Sequence, residues 1–198
     1  MTYGETLPQF SFTADQALPE GAIDLDYTVK NQNGDTQDIT QPLLPGTYQI
    51  TGAVKAGSSS DYDVTAIAPG TLTVNTASAT LAFEGSTTVS LSDLTAHQAN
   101  LSGLPGLPDK VKVTYGGKTV EATPQIAWAS KGSSVADVLK QFADNGSLAS
   151  ATAYLTAAIT LPEELANIVE VTSNTLEYPV LVTGKNVATI TPKAGLDL

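Results

Sequence analysis

The sequence predicts a mainly all-β chain built as two small modules in tandem, the second carrying one inserted helix. Three observations predict it. Apolar residues alternate at period two in short runs, turn dipeptides recur between those runs, and one segment alone changes to helical spacing.

The first alternating run is Ile23, Leu25, Tyr27 and Val29, set against Asp24, Asp26, Thr28 and Lys30. That is the pattern of a half-buried strand. Asn33-Gly34 follows and predicts a hairpin, because both positions tolerate positive φ. Pro45-Gly46 opens a second strand with Tyr48, Ile50 and Val54 on one face, Tyr62 and Val64 begin a third, and Pro69-Gly70 leads into Leu72 and Val74. The first module therefore ends near Asn75, and the small polar residues Thr76 to Ser78 are expected to form a short linker or a shared strand boundary.

In the second module Leu81 and Phe83 alternate with Thr80 and Glu84, and Val89 and Leu91 follow. Two prolines and two glycines exclude regular structure from Gly103 to Pro108. Val111, Val113 and Tyr115 predict a strand turned by Gly116-Gly117, with Val120, Ile126 and Trp128 on the return side. Val135, Val138, Leu139 and Phe142 fall at helical spacing, so a helix is expected from a Ser134 cap, with Asp137 in its first turn, to Asn145-Gly146. Strand spacing resumes with Leu155, Ala157, Ile159 and Leu161. Val169, Val171, Tyr178, Val180, Val182, Val187 and Ile190 supply the remaining apolar positions, to about Pro192.

Hydrophobic residues are 41% of the 198 and Trp occurs once, which suits two lean cores better than one thick one. The formal net charge of −11 repels phosphate backbones and anionic lipid, and no stretch clusters Lys or Arg with aromatic residues. No nucleic-acid partner is expected, and no run is long and apolar enough to insert in a membrane. Zero Cys excludes disulfides and thiol chemistry, and fits either a cytosol or a Gram-positive exterior. Polar residues after Met1 are unlike a signal peptide. With Tyr3 read as a module edge, the chain is expected to be a segment whose signal and wall anchor lie outside it.

Residues 2 to 74 resemble the YGX-type MBG repeats of large bacterial surface proteins. The resemblance rests on Tyr3-Gly4 with Pro8, Pro45-Gly46-Thr47-Tyr48 with Ile50, Tyr62-Asp63-Val64 and Gly70-Thr71-Leu72-Thr73-Val74, in that order. The second module resembles a divergent bacterial Ig-like domain through Leu107-Pro108, Val111 to Tyr115, Gly116-Gly117, Ile126-Ala127-Trp128 and Ile159 to Pro162. It departs from that pattern between Ser130 and about Ala151, where the family has a short hairpin. Both resemblances imply β-sandwich or β-grasp-like modules, residues 1–76 and 77–198, the second Ig-like with its helical insertion around 134–145. They also imply an extracellular stalk or adhesin context and carry no catalytic residues. The expected function is a structural segment of a bacterial surface or secreted protein, with direct adhesion or carbohydrate binding as the alternative. Its partners would be neighbouring modules of the parent chain and, if any, a surface ligand that is protein or glycan.

Few residues could carry chemistry, and none is assigned a catalytic, cofactor or metal role. His97 is the only histidine. Asp24/Asp26, Asp61/Asp63 and Glu163/Glu164 offer paired carboxylates, but calcium needs about 6–8 oxygens and no matching loop follows. Asp61/Asp63 remains the minor metal candidate, and solvated strand faces explain the other pairs. A glycosidase would need opposed carboxylates beside aromatic platforms. Trp128 shares its face with Ile126 and is expected to be buried as a core anchor, with Tyr3 and Tyr115 as packing residues. Gly103, Gly106 and Gly116-Gly117 lack the Lys and helix start of a phosphate loop and are read as turns.

Overall fold

A computed structural model describes residues 1–58 and 61–184. The expected strand positions Val187 and Ile190, with Pro192, lie outside the described residues. The described residues are mainly β, with 40% strand against 14% helix. In order come β1 (Leu25–Lys30), β2 (Gly46–Val54), β3 (Gly70–Val74), β4 (Ala77–Ala82) and β5 (Thr87–Ser90), then α1 (Leu91–His97) and a single 3-10 turn (Leu101–Gly103). Next are β6 (Val111–Tyr115), β7 (Lys118–Ala122), β8 (Gln125–Ser130), α2 (Ser134–Asp144), β9 (Ser150–Thr160), α3 (Glu163–Ala166), β10 (Val169–Val171) and β11 (Thr175–Thr183).

Among the described residues the strands form three sheets, ordered β1-β2-β3, β10-β4-β6-β7 and β5-β11-β9-β8. Two compact units result. One comprises Met1–Ala79, Thr114–Lys118 and Glu163–Thr172, and the other Thr80–Val113, Thr119–Pro162 and the chain from Ser173.

In the first unit β1, β2 and β3 pair antiparallel. Val29, Leu43, Tyr48, Leu72 and Val74 bury on one side of that sheet, backed by Tyr3, Leu7 and Phe10. Asn33-Gly34 does not join β1 to β2. The Asn31 side-chain oxygen accepts the amides of Asn33 and Asp35, which closes a tight turn. The chain then pairs back only at Lys30↔Thr36 before a longer excursion reaches β2. Tyr62 and Val64 start no strand; both are exposed, and the third strand begins at Gly70. Residues 77 and 78 are strand rather than linker, because Ala77 buries and pairs with Val169.

In the second unit β9 supplies Ala153, Leu155, Ala157 and Ile159 to the core at every second residue, and β11 supplies Tyr178, Val180 and Val182. The two strands pair antiparallel from Thr175↔Ala158 to Thr183↔Ser150. Helix α2 lays Val135, Val138 and Phe142 on the same core. Ser134 is not its cap. Ser134 is the first helical residue and its hydroxyl accepts the Tyr154 amide at 2.8 Å, while Ser130 Oγ accepts the Val135 amide at 3.1 Å. The insertion is thus stitched to the strands on either side of it.

Candidate functional site

Three aromatic rings and one buried hydroxyl come together in the second unit. Phe83 follows β4, Trp128 lies on β8 and Tyr178 on β11. Phe83 stacks on Trp128 with centroids 5.2 Å apart and planes at 27°, and Tyr178 meets both edge-on at 5.3 and 5.5 Å. Such offset and edge contacts suit the ring quadrupoles. The Tyr178 hydroxyl lies 3.0 Å from Thr87 Oγ1, which donates to the Gly106 carbonyl at 2.7 Å. The cluster therefore joins β11, β5 and the Gly103–Pro108 segment through one chain of polar and ring contacts. Thr87 is the buried polar residue of this core, and its hydrogen bonds satisfy it.

Trp128 is half-buried rather than buried, because β8 is the edge strand of its sheet. Its ring nonetheless packs on the core, and its backbone amide donates to Ser102 Oγ at 3.2 Å on the outer side of the strand. Its strand neighbour Ile126 is half-buried too and pairs with Ile159.

His97 lies at the last position of α1. Its Nδ1 is 2.9 Å from the Asp93 carbonyl oxygen, and its ring lies over Gly103, where a Cβ would sit 3.1 Å from Cδ2. This glycine is needed for close approach, so His97 fastens the helix to the 3-10 turn. Tyr3 and Tyr115 meet ring to ring at 6.3 Å in the first unit. Gly116 and Gly117, at φ 52° and 74°, make the β6–β7 turn.

The carboxylate pairs stay on the surface. Asp24, Asp26, Asp61, Asp63, Glu163 and Glu164 are all exposed. Among the described residues no three His, Cys, Asp or Glu side chains are grouped to hold a metal ion. Two ion pairs, Lys110–Glu121 at 2.6 Å and Lys112–Glu84, flank a shallow groove of about 150 Å³. The hydrogen bond to Glu121 raises the pKa of Lys110. All four side chains are solvent-exposed, so water screens both pairs and they hold the groove only weakly.

Sequence reasoning found Trp128 and missed its partners. Phe83 and Tyr178 stand far apart in the chain, and Thr87 carries no motif; only the pairing of β11 with β5 and β9 brings them together. No family model, characterised protein or solved structure matches the chain, so the MBG-repeat and bacterial Ig-like resemblances gain no support from such comparison.

Proposed function

We propose that the chain is a non-catalytic structural segment, a spacer or stalk element of a bacterial cell-surface or secreted protein. One observation carries the reading: the single histidine, the buried Thr87 and the aromatic cluster act as fasteners. His97 ties α1 to the 3-10 turn, the rings of Phe83, Trp128 and Tyr178 bind three separated segments, and Thr87 links Tyr178 to Gly106. A catalytic base must reach a substrate proton, whereas His97 Nδ1 faces the Asp93 carbonyl and its Cδ2–Nε2 edge lies against Gly103, 3.1 and 3.7 Å from where a Cβ would stand. The net charge of −11 fits a segment that stays soluble and avoids anionic partners. Placement at a bacterial surface rests on the ordered motifs of residues 2 to 74.

The test is protease shaving of intact cells of the source bacterium, with an antibody raised against this chain. The reading expects the segment in the shaved or secreted fraction. Retention inside intact, unshaved cells would overturn it.

A further inference from the structure

We infer that the chain carries built-in mechanical clamps: short parallel strand pairs that join an early segment to a late one and resist extension by shear. Parallel pairings among the described residues include one bridge and two strand pairs. At the start, Thr2 bridges Asn75, with the Tyr3 amide donating to the Asn75 carbonyl at 2.8 Å and the Asn75 amide to the Met1 carbonyl at 2.9 Å. Next, β4 pairs with β10 from Ala77↔Val169 to Ala79↔Val171. Last, β5 pairs with β11 from Thr87↔Val180 to Ser90↔Thr183.

The geometry has a directional consequence. In a parallel pair, the end at which the chain enters the early strand and the end at which it leaves the late strand are opposite. Tension applied through the chain therefore slides one strand along the other and loads every inter-strand hydrogen bond together. If both pulling points lay at the same end, the bonds would open one at a time at far lower force.

The β5–β11 pair is the best built of the three. Val89, Val180 and Val182 are 4%, 0% and 0% exposed, so water is kept from the side chains behind these bonds, and a loosened bond gains no ready replacement there. Thr183 Oγ1 adds a donor to the Val89 carbonyl at 3.2 Å. On its other side β11 is held by the longer antiparallel pairing with β9. The β5 contact is consequently the one that yields under tension.

The use of such a clamp rests on the spacer reading, but its existence does not. The experiment pulls the full chain by single-molecule force spectroscopy, with one handle at the C-terminus and the other at Ser86→Cys or Ser92→Cys. The chain has no native cysteine, so each handle is unique. Ser86 precedes β5 and Ser92 follows it, and both are exposed. Circular dichroism first verifies that each variant is folded. The clamp predicts a rupture force several-fold higher from Ser86, the shearing geometry, than from Ser92, the peeling geometry, at equal pulling speed. Thr183→Val should lower the first force more than the second. Equal forces from the two handles would overturn the clamp and leave the cellular location untouched. A chain found inside unshaved cells would overturn the spacer reading and leave the forces unchanged.

Discussion

Tyr48 shows how much one residue can settle. It follows Pro45-Gly46, buries its ring in the core of the first unit, and donates its hydroxyl to the Leu44 carbonyl at 2.6 Å, which pins the entry to β2. Tyr48→Phe should cost about 0.5–1.5 kcal/mol, the net worth of one such bond, read as a lower denaturation midpoint. Burial raises the pKa of the Tyr48 phenol. A folded-state pKa above the unfolded value of about 10 means the contribution is complete below pH ~10 and is lost as pH rises through the folded value. Alkaline titration of stability should therefore show a falling limb in the wild type that is weaker in Tyr48→Phe. Gly184 is constrained from the opposite direction. A Cβ there would lie 2.4 Å from the Leu148 carbonyl oxygen and 3.1 Å from the Phe142 ring, so Gly184→Ala should destabilise the second unit by about 1–3 kcal/mol in thermal melts. Tyr48 was legible as a core residue from alternation, but no local pattern marked Gly184, because its constraint comes from a helix and loop some 40 residues earlier in the chain.

At the scale of elements, strands were read better than short helices. The β2, β6 and β9 segments and helix α2 follow directly from period and turn residues. Helix α1 was missed, although Ser90 stands three residues before Asp93 and its Oγ accepts the Asp93 amide at 3.1 Å, a capping signature. Seven residues give too few turns for periodicity to show, and a helix that short gains most of its stability from packing, here from the fully buried Leu94. Leu94→Ala should consequently melt the second unit early, with a loss of about 2–5 kcal/mol. Asn33-Gly34 misled for the converse reason: its turn is real, but Asn31 closes it locally, and the return strand lies further on. The β6–β7 hairpin was legible from Gly116-Gly117, but the partners of strands far apart in the chain were not. Parallel pairing such as β5 with β11 joins residues that share no local signal, and it is on this pairing that the clamp depends.

Across the whole molecule, His97, Thr87 and the rings of Phe83, Trp128 and Tyr178 hold the fold together, while the paired carboxylates stay in solvent. Folding should need no metal, so EDTA should leave the melting temperature unchanged; a fall of several degrees would revive the Asp61/Asp63 site. Half-buried Trp128 is placed to act either as a fastener or as a sugar platform, so it decides between the two. The measurement is Trp128→Ala, followed in parallel by thermal unfolding and by binding to a glycan array. As a fastener in the cluster with Phe83 and Tyr178, Trp128 should cost about 3 kcal/mol when truncated, the lower end for a buried aromatic because β8 is an edge strand. The account predicts a clearly lowered melting transition and no glycan binding for either protein. An unchanged melting profile, with glycan binding present in the wild type and lost in Trp128→Ala, would contradict it.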